Sequence, residues 1–287
     1  MPDNLQPTTI REFPLPGHDV LAVTGRDAVK FAHAQFMSDV AALAPGHWQW
    51  SGWLTPKGRV IALFALLKLD HETLWLLLPD FDAGEFTARL QRFVFRSKVE
   101  LMPRGDLHAN GAFAEPGQAK GAAFAAIDGA IELDMGGDGG PRSLRIDARP
   151  VVDDAKSQAE WFAFDLAHGM PRLPESQREQ WTPQQLSLER LRAFSVKKGC
   201  YPGQEIVART HFLGQAKRGL VALCAAAAIP VGADVELDGA AIGKIVSASP
   251  AEPCFALAVL PIERGSGALA AAGLGLNDIG LRDGLAR

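Results

Sequence analysis

Apolar and polar residues follow two different periods over roughly the first third of the chain. Apolar residues that alternate with polar ones, or that form short continuous runs, predict β-strands at 19–25, 47–54, 58–69, 73–79 and 97–102. Two other segments, 26–40 and 81–95, repeat their apolar residues at helical spacing and predict helices. The resulting order β-α-β-β-β-α-β is typical of an α+β domain with a mainly antiparallel sheet.

The middle of the chain has a weaker pattern. Residues 104–125 are rich in Gly, Ala and Pro and show little periodicity, so we place a domain seam in this region. Two short strands are predicted at 130–135 and 143–147, on either side of a Gly-rich turn. A helix is predicted at 155–168, and Pro171 ends it.

The pattern changes again after Gly219. Short apolar segments separated by Gly, Pro and Asp-Gly turns occupy 219–225, 234–239, 241–250 and 254–260. Evenly spaced short strands of this kind indicate a small β-barrel or β-sandwich. The sequence therefore predicts an α+β front, a seam, and a β-rich end that begins near residue 215.

Composition and charge exclude some classes of protein. With 287 residues, 47% hydrophobic and 22% charged, the chain has an ordinary globular composition and enough length for about two domains. The net charge of −4 argues against broad electrostatic capture of nucleic acid, so direct nucleic-acid binding is not expected.

Neither targeting nor metal binding is indicated by the sequence. Its first residues lack the basic and apolar regions of a signal peptide, and no apolar run approaches the ~20 residues of a membrane span, so we expect a cytoplasmic protein. The cysteines, Cys200, Cys224 and Cys254, are odd in number and widely spaced, which favours reduced thiols. No Cys or His spacing typical of zinc is present, and we predict no metal site.

The stretch KKGCYPGQE, residues 197–205, carries the strongest chemical signal. Pro202 and Gly203 form a turn before a helical segment, so Cys200 lies near a helix N-terminus that favours an anion. Cys200 is therefore a candidate reactive thiol. Two alternatives stay open: a small buried residue in a tight turn, and a Cys-His hydrolase, for which no local signature ties a histidine such as His168 or His211 to the cysteine.

This stretch resembles the KGC-aromatic-x-GQE signature of the YgfZ family, folate-binding proteins related in fold to the aminomethyltransferase (T-protein) of glycine cleavage. The similarity extends over most of the chain. Further segments that match the family pattern are Val23–Val40, PKGRVIALF, Phe95–Val99, Trp161, Gly169–Pro171, the Pro183-Gln184 helix start, Arg209 and Lys217-Arg218.

The resemblance implies a fold: three domains in a ring around a central hole, of the T-protein type. On this chain they are an α+β domain at 1–103, a second α+β domain at 104–214 that ends in the Cys200 motif, and a small C-terminal β-barrel at 215–287. It also implies a function: a tetrahydrofolate-binding accessory factor for iron–sulphur cluster assembly or repair, which indirectly supports cluster-dependent enzymes, tRNA-modifying ones included.

Site residues follow from the same resemblance. Cys200 is the expected reactive thiol. The expected folate-binding residues are Trp161, Lys198, Gly199, Tyr201, Gly203, Gln204, Glu205 and Arg209. The expected partners are folate and iron–sulphur enzymes or cluster-assembly proteins, with no membrane contact and a monomeric state.

Several departures from the family patterns matter. The Asp-Asp pair of the T-protein falls on Ala62 and Leu63, which cannot move protons, so a classical aminomethyltransferase is not expected. His18 replaces a tryptophan found in some bacterial members, and Ser187 replaces an asparagine. A folate-dependent one-carbon transferase acting on another substrate, and a pure interaction scaffold, remain the alternatives.

Overall fold

The structure is a computed structural model that describes residues 11–214, 216–250, 252 and 254–287. The expectation about a targeting segment concerns mainly residues 1–10, which lie outside the described residues. The strands are β1 (Phe13–Pro14), β2 (Asp19–Thr24), β3 (His47–Leu54), β4 (Val60–Lys68), β5 (Thr73–Leu78), β6 (Glu100–Pro103), β7 (His108–Ala112), β8 (Ala125–Ile127), β9 (Ala130–Asp134), β10 (Ser143–Asp147), β11 (Arg218–Cys224), β12 (Asp234–Leu237), β13 (Ala240–Ala248), β14 (Phe255–Pro261), β15 (Leu269–Ala271) and β16 (Leu274–Asp278). The α-helices are α1 (Ala28–Gln35), α2 (Ala83–Leu90), α3 (Ala155–Ala167) and α4 (Gln204–Leu213).

The first sheet is antiparallel, in the order β3-β4-β5-β2-β6, and its strands confirm the five predicted from the first third of the chain. Strand β4 is buried along its whole length, as its continuous apolar run requires. Side chains on one face pack beneath α1 and α2, and those on the other face join the core shared with the rest of the molecule. The sheet thus separates two hydrophobic layers.

Both helices of this region are shorter than the sequence predicts. The helix predicted at 26–40 ends at Gln35, because Phe36 is extended and pairs with Trp53 of β3. The helix predicted at 81–95 starts at the Asp82 cap and continues past Leu90 as a 3₁₀ turn over Gln91–Phe93. At the end of α1, pairing with a distant strand overrides the local period.

The second sheet has the order β1-β7-β10-β9-β8, so a strand from the start of the described chain joins residues from beyond the seam. Strands β9 and β10 and helix α3 confirm the predictions for 130–168. Strands β7 and β8 were not predicted, since they lie in or at the end of the segment without clear periodicity. The seam region therefore contains part of a sheet.

The third sheet is a closed barrel, β11-β14-β13-β12-β15-β16, which confirms the predicted C-terminal β-barrel. Strands β15 and β16 complete it and were not predicted. The mixed α and β architecture agrees with the α+β class. The domain boundaries 1–103, 104–214 and 215–287 stay predictions. Within the described ranges, no helix has the length and apolar character needed to cross a membrane.

The helix start expected at Pro183-Gln184 is wrong: residues 183–192 form consecutive turns. Ser187 has a φ of +49°, a left-handed conformation that interrupts a helix. Its hydroxyl oxygen instead accepts a hydrogen bond from the Leu220 amide at 3.0 Å, which ties these turns to the barrel.

Candidate functional site

The loop that carries Cys200 is attached to the edge of the first sheet. The Ser195 amide donates to the Met37 carbonyl at 2.8 Å, and the Met37 amide donates to the Gly52 carbonyl of β3 at 2.9 Å. Met37 and Ser195 therefore extend the hydrogen bonding of the first sheet outward from β3 to the Cys200 loop. This places the loop beside the end of α1.

The Lys198 side chain anchors the loop to the C-terminal end of α1. Its buried ammonium donates to the main-chain carbonyls of His33, Phe36 (2.5 Å) and Ser38 (3.0 Å), at the C-terminal end of α1. A cation is favourable there because the last helical carbonyls lack intrahelical partners. Burial lowers the pKa of Lys198 to about 8.

Tyr201 and Gln204 close the loop on itself. The Tyr201 hydroxyl donates to the Ser195 carbonyl at 3.1 Å, and the Tyr201 ring lies 4.7 Å from the Lys198 Nζ. Burial raises the pKa of Tyr201 to about 12. The Gln204 side-chain amide donates to the Lys198 carbonyl at 3.2 Å. These three side chains fix the loop conformation.

Gly203 sets the turn that starts α4. Its φ is +78°, and a Cβ at this position would lie 2.6 Å from the Gly58 Cα and 2.6 Å from the Thr55 carbonyl oxygen. Only glycine allows both the left-handed conformation and this contact. The turn at 55–58, before β4, therefore forms one wall against the Cys200 loop.

Cys200 itself is exposed, so it does not fill the core as a small buried residue would. Gly199, Glu205 and Arg209 are exposed as well, and Glu205 and Arg209 share a face of α4. The loop thus combines structural residues that hold it with exposed residues around the thiol.

The two histidines weighed as a catalytic base occupy other environments. His168 stacks on Phe164 at 3.9 Å, and its Nε2 accepts from the Gly139 amide at 3.1 Å. Burial lowers the pKa of His168. His211 is exposed at the far end of α4, beside Phe212. This geometry does not support a Cys-His pair.

Trp161 lies in a different part of the molecule, between α3 and the second sheet. It is 1% exposed, and its ring packs with Phe13 and Phe113, both at 5.9 Å. The Arg142 guanidinium lies 4.0 Å from the Trp161 ring and 3.7 Å from the Phe164 ring. One face of the indole is therefore covered by a cation.

Arg142 belongs to a buried ionic network that the sequence did not reveal. Its Nη1 lies 2.9 Å from Asp165 Oδ1, and burial lowers the pKa of Arg142 to about 10. The second Asp165 oxygen lies 3.6 Å from Arg172, whose Nε is 2.8 Å from both oxygens of Asp80. Asp80 follows β5, so the network links the first sheet to α3. The sequence gives one sign of this network: Asp165 is four residues after Trp161, so a charged residue falls on the apolar face of the helix.

Two cavities meet at His18. The inner one has a volume of only about 10 Å³, room for about one water, and it is lined by His18, Trp50, Met135, Trp161, Asp165 and Met170 among others. The outer cleft has a volume of about 430 Å³, in the range of small-molecule sites, and its lining includes Gly17, His18, Asp82, Arg104 and His108. Withdrawal of the ring from water lowers the pKa of His18 well below its usual range, and the charge of Arg172 adds to this.

The positions of the T-protein carboxylates are apolar and buried here. Ala62 and Leu63 lie on β4 with 4% and 5% exposure. They share the wall of a small cavity with Asp80 and Pro171. Burial raises the pKa of Asp80, although Arg172 opposes the shift. Asp80 is thus a carboxylate beside these two positions, and it is already engaged by a cation.

The fold is that of the aminomethyltransferase of the glycine cleavage system. The solved T-protein of Bartonella henselae superposes with a TM-score of 0.69 at 16% identity, over 92% of this chain and 83% of that one. Likeness at this level of identity concerns the fold alone.

Sequence relatives then narrow the class. Proteins named tRNA-modifying protein YgfZ from Klebsiella pneumoniae (strain 342) and Escherichia coli (strain K12 / DH10B) are each 27% identical to this chain, over 75% of it and 72% of their own length. An uncharacterised Haemophilus influenzae protein is 29% identical over 71% of this chain and 69% of its own. The chain is a relative of the YgfZ proteins, which confirms the resemblance drawn from its motifs, and no family model matches it.

Proposed function

We propose that this chain is a tetrahydrofolate-binding accessory factor for the assembly or repair of iron–sulphur clusters, with Cys200 as its reactive thiol. The observation that carries the proposal is an exposed cysteine in the loop before α4, which Lys198, Tyr201 and Gln204 hold in place. A loop held from below by polar anchors presents its thiol in one geometry. The YgfZ relatives, named for tRNA modification, support a role in maintaining enzymes of that kind.

The proposed folate site is the outer cleft, extended toward Trp161. The cleft offers polar groups at Arg104 and His108, and a pterin ring has several donors and acceptors to satisfy. Entry of the ring to Trp161 would require the inner cavity to widen, because it now holds about one water. We assign Lys198, Tyr201, Gly203 and Gln204 to holding the Cys200 loop, and the exposed Gly199, Glu205 and Arg209 to contact with a partner at the thiol rather than with folate.

The proposed chemistry at Cys200 is transient. A stable cluster needs several thiolates, and one cysteine supplies a single ligand, so an iron contact would be shared with a partner. We further propose that the factor acts in the cytoplasm, as a monomer, on iron–sulphur enzymes or cluster-assembly proteins and without direct contact with nucleic acid.

A folate-dependent one-carbon transferase is the second candidate. The observation that favours it is Asp80, a buried carboxylate in the same cavity wall as Ala62 and Leu63. The observation against it is the Arg172 side chain, whose Nε lies 2.8 Å from each Asp80 oxygen, because a carboxylate held in that way is a poor proton carrier.

A paired assay separates the two functions. Purified protein with tetrahydrofolate and a methylated amine should form no product. In a host strain whose own copy of this gene is deleted, the wild type and Cys254→Ala should restore the activity of cluster-dependent enzymes, and Cys200→Ala should not. Turnover by the purified protein that is lost in Asp80→Asn would establish the transferase instead. Restoration by Cys200→Ala would remove the thiol from the mechanism.

A further inference from the structure

A cleft of about 220 Å³ lies against the Cys200 loop, and the proposed function does not use it. Its lining includes Trp53, Thr55, Arg89, Arg92, Phe93 and Pro202, and we name it the Trp53 cleft. Pro202 is two residues from Cys200. The backbone of Thr55 is in close contact with Gly203, so one wall of the cleft is also the support of the loop.

The Trp53 cleft is separate from the cavity at Trp161. Trp53 belongs to the apolar layer beneath α1 and α2. Trp50 lies on the opposite face of the same sheet, in the layer that contains Trp161. Strand side chains alternate between faces, and the first sheet therefore stands between the two cavities. A ligand in one does not reach the other.

One polar group in the cleft wall lacks a partner. The Trp53 indole N–H is buried and has no hydrogen-bond acceptor among the described residues. The N–H itself is buried, so the surface open to a ligand here is aromatic. Trp53 also contacts the ring of Phe93 edge-on at 5.9 Å, and Phe93 itself is 47% exposed. The cleft thus presents aromatic surface at Phe93, next to the buried ring of Trp53.

The charge of the cleft is positive. Arg89 is paired with Glu179, at 2.5 Å, and lies 3.9 Å from Glu85. Arg92 is exposed, and its side chain has no ion pair within the part of the chain that the structure describes. The cleft therefore carries an uncompensated guanidinium, which complements a carboxylate.

Exposed apolar side chains also lie on α4, the helix that follows Pro202 of the cleft wall. Only Val207 of this helix is buried, and Ile206, Phe212 and Leu213 are 38%, 66% and 84% exposed. Large apolar side chains exposed next to a pocket are typical of protein–protein interfaces, in which an anchor side chain fills the pocket.

We propose that the Trp53 cleft docks an apolar anchor side chain from an acidic segment of a partner protein, and so brings that partner to Cys200. The cleft volume suits one large side chain, Arg92 pairs with the flanking carboxylates, and Ile206 and Leu213, which share a face of α4, offer further apolar surface. The role given to the partner rests on the proposed function, since Cys200 is the group to which it is brought.

A titration followed by NMR tests the docking. Protein labelled with ¹⁵N at its six tryptophans gives indole signals, and Trp53→Phe identifies the one from Trp53. The probe is a blocked pentapeptide with a central phenylalanine between aspartates, and its control has lysines in place of the aspartates. We expect the acidic peptide to shift the Trp53 signal saturably, and the basic peptide to shift it at least about tenfold more weakly.

Charge-reversal variants locate the interaction. Arg92→Glu should weaken the acidic peptide about tenfold. Lys156→Glu makes the same change of charge at an exposed side chain near the start of α3, and it should alter binding less than about twofold. An unmoved Trp53 signal in folded protein, equal shifts from both peptides, or equal weakening by both variants would overturn the proposal. The titration needs neither folate nor the thiol, so its failure is distinguishable from failure of the proposed function.

Discussion

The Cys200 loop and the Trp161 region each contain a buried cation beside an aromatic ring. The two cations differ in their partners, which are neutral carbonyls in the loop and a carboxylate in the Trp161 region. Lys198, next to Tyr201, donates to three main-chain carbonyls at the end of α1. Arg142, next to Trp161, is paired with the carboxylate of Asp165. Loss of Lys198 would leave neutral carbonyls, and loss of Arg142 would leave a buried negative charge. The two regions should therefore differ in their tolerance of substitution.

The largest effect should come from Arg142→Met. It leaves Asp165 buried with only Arg172, 3.6 Å away, and we expect a loss of about 3 to 5 kcal/mol in the free energy of unfolding. Urea unfolding followed by circular dichroism measures it. Adding Asp165→Leu should recover a large part of the loss, because the stranded charge is removed. No recovery in the double variant would contradict the role of this pair.

Gly203→Ala should follow in size. The left-handed backbone and the 2.6 Å approach to Gly58 together predict a loss of about 2 to 4 kcal/mol in the free energy of unfolding. Gly214→Ala is the matched control at the other end of α4, since its φ is −151° and the nearest atom to an added Cβ is 4.0 Å away. Equal effects of the two substitutions in urea unfolding would mean that the turn does not depend on Gly203.

Lys198→Met should cost less, about 1 to 2 kcal/mol, because the carbonyls it leaves are neutral and burial already disfavours the charge. Lys197→Met removes the same ammonium group from the exposed neighbouring residue, and it should change the free energy of unfolding by less than about 0.5 kcal/mol. The same unfolding measurement applies. A loss larger than that of Arg142→Met would reverse the comparison between the two regions.

The last effect is absent at neutral pH and appears only at alkaline pH. Tyr201 is the only tyrosine, so ultraviolet absorbance of its phenolate reports on the loop alone. Burial raises its pKa to about 12, above the ordinary value of about 10. Its contribution to stability is therefore fully present below about pH 10 and is lost as pH rises toward about 12. A native midpoint near the ordinary value, equal to that in denaturant, would show that the phenol is not buried.

Much of the fold could be predicted because its strands alternate or form continuous apolar runs. Segments 47–54 and 143–147 were predicted with the observed limits, since flanking polar and turn residues mark their ends. Strand β7, HANGA, was missed because its small and polar residues give no alternation, and its burial comes from packing against Trp161. Helix α1 was overpredicted because its end is set by pairing of Phe36 with a distant strand.

The candidate site was predicted less completely, for a physical reason. The spacing of Cys200, Pro202 and Gly203 is local, and it indicated the turn before α4 correctly. The role of Lys198 depends on carbonyls between 160 and 165 residues away, which no local pattern records. The network of Arg142, Asp165, Arg172 and Asp80 likewise exists only after the sheets have come together. Each member is a charged residue among apolar neighbours, and the sequence alone does not show which residues pair with one another.

The most direct test of the central claim is anaerobic calorimetry of the purified protein with tetrahydrofolate, using the wild type, Cys200→Ala and Trp161→Phe. The proposed folate site is away from the thiol, so binding should be saturable, unchanged by Cys200→Ala and weakened by Trp161→Phe. The absence of heat from folded wild-type protein, or binding lost with Cys200→Ala and kept with Trp161→Phe, would contradict it.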